Sequence, residues 1–337
     1  MTLPYLDGVR AQPENLRRSA AAVRAALAGP AGAQAAAASR WGNLVAFGMG
    51  ASAHAAAGFA AALRAAGLPA TSASAADLRD GIPPGFAATF LGVSQSGRSR
   101  ETVAALAAVP AGPAARLALT NRPDSPLGAI ADTVVALGCT EDSAVSTLSY
   151  TATLQALGLL AERISGGSRT DWDRLPGLAA EVLDFDPEPL ASALADAGCV
   201  DVVACGVRVA TAGAAALLLR EAAHLPTAGF TTREYLHGPL EAAGPGRAVL
   251  LFGAGRELSL AVDLAGYGAQ VVVVTDADVD LPAQDGLLVV RLPRLAGLGG
   301  CVLDILLVQL AAHVLAQRAG RPVEPRYMPA DTKLPAG

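Results

Sequence analysis

The chain has 337 residues, 52% apolar and 4% aromatic, with 25 basic against 30 acidic side chains for a formal charge of −5. That length accommodates two domains of ordinary size, with cores built from Ala, Val and Leu rather than from aromatics. The acidic balance and the lack of aromatic stacking platforms argue against a nucleic-acid partner.

A helix is expected over 13–29, closed by Gly29-Pro30, followed by a weakly structured Ala/Gly stretch to residue 39. A short apolar run at 43–47 ends in Gly48-Met49-Gly50-Ala51-Ser52-Ala53, and an Ala-rich helix runs to about residue 68. The rhythm then repeats: strand 89–93 and a helix from 101, strand 116–119, strand 133–137, and a long helix over 146–164. Residues 166–189, with their glycines and prolines, suggest a connection between domains. After it come strand 200–205, helix 210–225, strand 248–252, helix 257–267, strands 270–275 and 286–292, and helix 301–318. The last stretch, 321–337, holds four prolines and reads as an extended tail. Strands alternating with helices imply βαβ units, so the fold class is α/β: two similar three-layer αβα domains, each a parallel sheet flanked by helices.

No basic region followed by an apolar run opens the chain, so no signal peptide is expected. Arg64, Arg208, Arg220, Asp304 and His313 interrupt the apolar stretches, so none is expected to reach the roughly 18 clean residues of a membrane span. These features point to a soluble, cytoplasmic protein with no membrane partner. Cys139, Cys199, Cys205 and Cys301 are scattered without a CxxC pair and are expected to be buried free thiols. The four histidines (His54, His224, His237, His313) are too dispersed for a metal cluster, so no metal and no cofactor are expected.

The most informative stretch is Gly92-Val93-Ser94-Gln95-Ser96-Gly97-Arg98-Ser99. A buried strand opens into a loop of hydroxyls and glycine, then a helix begins. Such a loop aims N–H groups and hydroxyls at one point, and the helix N-terminus adds partial positive charge, so a phosphate is the natural guest. It lacks the Gly-Lys-Ser/Thr ending of a P-loop. Gly50, Ala51 and Ser52 form a second strand-end loop, and Ser146-Thr147 a third hydroxyl-bearing helix start. A Ser-rich turn is also compatible with plain solvation, but three such loops in one domain favour an anion site. Position 53 is Ala, so Gly48-x-Gly50 fails the dinucleotide fingerprint. Glu221 sits late on a helix beside Arg220, and His237 lies in Arg233-Glu234-Tyr235-Leu236-His237-Gly238-Pro239-Leu240. On sequence alone Glu221 could be a helix-end carboxylate and His237 a packed loop residue.

Together these residues resemble the sugar isomerase (SIS) domain family, most closely the isomerase half of the glucosamine-6-phosphate synthases, over about residues 13–326. Gly48-Met49-Gly50-Ala51-Ser52 is similar to that family's G-x-G-T/A-S loop and Ser94-Gln95-Ser96-Gly97 to its phosphate loop, with Ser99 at a phosphate-contacting position. The segment from Glu141 through Ala144 and Ser146 resembles its substrate-binding segment. Leu219-Arg220-Glu221 resembles its L-K-E, and His237-Gly238-Pro239-Leu240 its H-G-P-L. The resemblance implies a sugar-phosphate ligand held by Gly50, Ala51, Ser52, Ser94, Gln95, Ser96, Ser99, Ala144 and Ser146. It also implies that Glu221 carries a proton between C1 and C2, that His237 assists ring opening, and that the assembly is a homodimer.

The departures narrow the expectation. No glutaminase segment or N-terminal nucleophilic Cys precedes the isomerase part, so glutamine dependence is not expected. The family's Schiff-base lysine follows a Pro-Arg pair closely, whereas Lys333 stands about three residues further on. Leu218 replaces another lysine, and Arg98 and Arg100 suggest a more anionic ligand. The domains expected are a helical lead-in (1–30), a first SIS domain (31–170), a second (185–320) and a closing tail (321–337). The expected activity is a phosphosugar isomerase or deaminase acting on an (amino)hexose 6-phosphate by 1,2-proton transfer, with a non-catalytic phosphosugar sensor as the alternative.

Overall fold

The computed structural model describes residues 3–38, 42–83, 85–110, 112, 114–327 and 329–335. In chain order, α1 (Tyr5–Arg10), α2 (Gln12–Ala28) and α3 (Pro30–Ala38) precede the first sheet. That sheet comprises β1 (Leu44–Gly48), β2 (Ala70–Ser74), β3 (Thr89–Val93), β4 (Ala115–Thr120) and β5 (Thr133–Ala136). Between and after its strands lie α4 (Ala51–Ala65), α5 (Ala75–Leu78), α6 (Arg100–Ala107), α7 (Pro126–Ile130) and α8 (Leu148–Ser165). All strand pairs are parallel and the order is β2-β1-β3-β4-β5. Both β1 and β3 are buried at every position, as strands covered on two faces must be. Phe47, Phe90, Leu106 and Leu127 fill one of the core layers.

The second half opens with α9 (Leu175–Leu183) and α10 (Glu188–Ala195). Its sheet holds β6 (Cys199–Ala204), β7 (Thr227–Thr231), β8 (Arg247–Phe252), β9 (Gln270–Thr275) and β10 (Leu287–Arg291). The helices are α11 (Val209–Ala222), α12 (Thr232–Tyr235), α13 (Arg256–Gly266) and α14 (Gly297–Arg318). The order β10-β9-β8-β6-β7 is the first sheet's order repeated, again all parallel. Val203, Tyr235, Val249, Leu251, Val271 and Val273 pack together in its core.

Two compact units interleave along the chain. One comprises Glu14–Glu141, Leu148–Asp173 and the residues from Tyr327 on, and contains the first sheet. The other comprises the residues up to Pro13, Asp142–Thr147 and Arg174–Arg326, and contains the second sheet. The short segments join the second unit through specific bonds: the Leu3 N–H donates to the Asp142 carbonyl at 3.3 Å, and the Tyr5 hydroxyl donates to the Gln309 carbonyl at 3.1 Å.

Several expected elements are corrected. The Ala/Gly stretch after Pro30 is helical, because alanine is the best helix former and outweighs one glycine. The connection expected over 166–189, where one unit gives way to the other at Asp173–Arg174, carries all of α9 and the start of α10, whose prolines sit at the first helical positions where they cost no hydrogen bond. Both β2 and β7 escape a hydrophobicity search, since Ala-Thr-Ser-Ala-Ser and Thr-Ala-Gly-Phe-Thr are half-exposed edge strands.

Among the described residues α14 is long and apolar enough to cross a membrane, contrary to the expectation, yet 94% of its apolar window is buried inside the protein. Asp304 does not interrupt that helix. Its carboxylate accepts from Arg208 Nε at 3.0 Å and from the Thr211 hydroxyl at 3.2 Å, which satisfies the buried charge. Cys139 and Cys301 are buried free thiols as expected, whereas Cys199 is half-buried and Cys205 exposed.

Candidate active site

In the first sheet, strand order reverses between β1 and β3, the place where open α/β sheets leave a crevice beyond their carboxyl ends. The loops there are Met49-Gly50 before α4 and Ser94–Ser99 before α6. Gly50 takes a positive φ of 55° as it enters α4, and Ala51 and Ser52 form that helix's first turn, half-buried.

The Ser94–Ser99 loop is fixed by its neighbours. The Ser94 N–H donates to the Leu119 carbonyl at 3.0 Å, and the Gln95 carbonyl accepts from the Asn121 N–H at 2.9 Å and the Thr120 hydroxyl at 3.2 Å. Gly97 has φ 62°, and a Cβ there would meet Ser125 Oγ at 1.8 Å, so glycine is required on two counts. The Arg98 N–H donates to Ser96 Oγ at 3.3 Å, and Ser99 stands at the N-cap position of α6 without a side-chain capping bond. The result is a rigid strand-to-helix turn carrying three serines at a helix N-terminus, suited to an oxyanion.

The tail from Tyr327 belongs to this same unit. Lys333 pairs with Ser99 in an isolated antiparallel bridge, and the Leu334 N–H donates to the Arg98 carbonyl at 2.8 Å. Arg98 Nε returns a bond to the Leu334 carbonyl at 2.8 Å. Lys333 itself is exposed. Arg98 therefore anchors the tail.

In the other unit, Ala144 and Ser146 are exposed on the turn 142–147, organised by Asp142. The Asp142 carboxylate accepts from the Ser143 N–H at 2.8 Å, the Thr147 N–H at 3.1 Å and the Thr147 hydroxyl at 2.7 Å. Nothing in the sequence pattern marked Asp142, because its partners become neighbours only once the turn closes.

Glu221 occupies the last turn of α11, whose Leu218, Leu219 and Ala222 are buried. Burial of Leu218 removes that position from any site chemistry. Glu221 is open to solvent, yet its surroundings are crowded enough that desolvation pushes its carboxyl above the ordinary value. His224, with φ 54°, ends the helix three residues later and lies 2.8 Å from an Arg321 nitrogen. Tyr5 feels both carboxylates of this region: burial, then anionic Asp142 and Glu221, push its hydroxyl well above the usual phenol value.

His237 follows α12, which Thr231 and Glu234 cap reciprocally, and its N–H donates to the Glu234 carbonyl at 3.0 Å. Leu236 and Leu240 pack into the core on either side, leaving His237 exposed. Gly50, Ala51, Ser52, Ser94, Gln95, Ser96, Ser99 and Lys333 thus lie in one unit, and Ala144, Ser146, Glu221 and His237 in the other. Among the described residues no group of three or more His, Cys, Asp or Glu could hold a metal ion.

The chain is similar to known proteins in sequence and in fold. The SIS domain family matches residues 39–163. The isomerizing glutamine–fructose-6-phosphate aminotransferase of Gloeobacter violaceus is 27% identical over 280 residues, covering 77% of this chain and 46% of that protein. The chain thus spans about half the length of the curated relatives it matches. The C-terminal domain of glucosamine–fructose-6-phosphate aminotransferase from Francisella tularensis superimposes with a TM-score of 0.81 at 18% identity, covering 96% of this chain and 98% of that one. Glucosamine-6-phosphate deaminase from Thermotoga maritima does so with a TM-score of 0.74 at 17% identity, covering 96% and 98%. At these identities the structural likeness speaks to the fold.

Proposed function

From a chain that carries a SIS domain and is homologous to the isomerase part of glutamine–fructose-6-phosphate aminotransferases, we propose a phosphosugar isomerase or deaminase acting on an (amino)hexose 6-phosphate. The β6–β10 half is then a second SIS domain, with the two domains at about 31–170 and 185–320, and the assembly a homodimer. The observation that carries this function is the rigid Ser94–Ser99 turn at the strand-order reversal of the first sheet. There the N-terminus of α6 and the hydroxyls of Ser94, Ser96 and Ser99 suit a phosphate, with Gln95, Gly50, Ala51 and Ser52 completing the cradle.

In the proposed mechanism His237 exchanges a proton with the ring oxygen, giving the open-chain sugar. Ala144 and Ser146 steady its hydroxyls. The Glu221 carboxylate removes the C2 proton of the aldose, and the electron pair moves through an enediol. The same proton returns to C1 and the O2 proton passes to O1, so that C2 becomes the carbonyl and nothing is oxidised overall. A raised carboxyl pKa suits a group that must both accept and return a proton near neutrality. With a 2-amino sugar the same shift yields a C2 imine, which water hydrolyses to the ketose and ammonia. Lys333 is proposed to form an imine with the open-chain ketose, releasing water.

A phosphosugar sensor without turnover is the second reading, favoured by the burial of Leu218 where the synthases carry a lysine. Incubation with fructose 6-phosphate and with glucosamine 6-phosphate separates the two. Glucose 6-phosphate or ammonia supports the enzyme, and calorimetric binding without product supports the sensor.

A further inference from the structure

The second sheet repeats the first sheet's reversal, here between β6 and β8. The loops leaving those strands, including Cys205-Gly206-Val207-Arg208 and Gly253-Ala254-Gly255, line a cleft of about 450 Å³. Gly253-Ala254-Gly255 runs directly into the eleven-residue helix α13. It is the topological counterpart of the Ser94–Ser99 turn. Arg233 and Arg294 line the same cleft and are exposed, while Arg208 is committed to Asp276 and Asp304, and Arg256 to Asp263.

A glycine loop, a helix N-terminus and guanidinium groups at a strand-order reversal would suit an anion. In this half the anion is supplied by the chain. Glu257, the second residue of α13, lines the cleft and is only 1% exposed. Its Oε1 accepts a short hydrogen bond from the Thr232 hydroxyl. Its Oε2 is enclosed and makes no hydrogen bond of ordinary geometry. A Cβ built on Gly253 would lie 2.4 Å from that oxygen, and one on Gly255 3.7 Å from it, so the carboxylate rests in the glycine cradle itself. Burial by itself would push the carboxyl up. The Thr232 hydroxyl, the N–H groups of Glu257 and Gly255, and the Cys205 thiol outweigh burial and hold it below its ordinary value.

We propose that the N-terminus of α13 is an anion seat filled by the Glu257 carboxylate, so that the second sheet's crevice is closed to phosphate groups and opens to a phosphate dianion when that side chain is removed. Of two equivalent crevices, only the one in the first sheet then accepts a phosphate. This inference concerns phosphate binding alone and stands apart from any turnover.

The test is Glu257→Ala in a Ser94→Ala/Ser96→Ala background, which removes the hydroxyls of the first turn. Inorganic phosphate is titrated by calorimetry, and melting is followed against phosphate concentration. The background protein is expected to show no saturable second site. Glu257→Ala is expected to bind one further phosphate per chain, saturating at a concentration about tenfold or more below that at which the background shows any uptake, with a melting temperature that rises with phosphate. Glu257→Gln keeps the seat occupied and is expected not to gain the site. A folded Glu257→Ala protein without added phosphate affinity overturns the inference, and so does an equal gain in Glu257→Gln. If Glu257→Ala is unfolded in plain buffer, phosphate must restore its melting transition, and failure to do so also overturns it.

Discussion

Lys333 and Ser99 are backbone partners in an antiparallel bridge, which sets the only lysine of the C-terminal tail beside the last serine of the Ser94–Ser99 turn. If that amine forms an imine with the open-chain ketose, borohydride added with fructose 6-phosphate traps a covalent adduct detectable by intact mass. Lys333→Gln is expected to abolish the adduct while leaving phosphate affinity within a few-fold. An adduct that persists in the variant removes Lys333 from this role.

Glu221→Gln is expected to lower kcat about 10²- to 10⁴-fold with a small change in KM, the range for loss of a general acid–base group. The sign of the pH dependence follows from the raised carboxyl pKa. The ionised form is the proton acceptor, so activity falls as pH drops through the raised value. The acid limb of kcat/KM is therefore expected at a higher pH than an ordinary carboxylate gives. An unshifted limb, or one that survives in Glu221→Gln, assigns it to another group.

Asp142→Asn keeps the volume of the side chain but removes the charge that holds Thr147 and, with it, the turn bearing Ser146. Hydrogen bonds to charged groups contribute about 1.5–3 kcal/mol. Because Asp142 is proposed to position rather than to react, KM is expected to rise about tenfold while kcat falls much less. An equal loss in both parameters would contradict a positioning role.

Asp304→Asn leaves Arg208 with one carboxylate partner instead of two. Breaking a buried pair on one side costs about 3–5 kcal/mol, and the bond to Asp276 that remains places the expected loss near the lower end. Urea denaturation monitored by circular dichroism measures it. A loss below about 1 kcal/mol would mean that the buried charge is compensated elsewhere.

Much of this architecture was legible because buried parallel strands read as unbroken apolar runs, as in Thr89–Val93 and Gln270–Thr275. The edge strands β2 and β7 were not, since an edge can afford Thr, Ser and Gly. The Ser94–Ser99 turn announced itself through composition and through Gly97, whose conformation excludes other residues. Asp142, Tyr5 and the use of Arg98 as a tail anchor stayed hidden. Each acts through a partner far away in sequence, and no local spacing encodes such a pairing. Glu257 is silent in the sequence for a related reason: a carboxylate in the first turn of a helix is commonplace until its burial is known.

The bond from Tyr5 to the Gln309 carbonyl has a consequence for biogenesis. Helix α1 leaves the ribosome well before α14, on which it docks, because Tyr5 and Gln309 stand 304 residues apart. The first sheet can assemble during synthesis, whereas α1 must wait for its partner until α14 has emerged. Loss of α1 or of the Gln309 end of α14 therefore damages the same patch of structure.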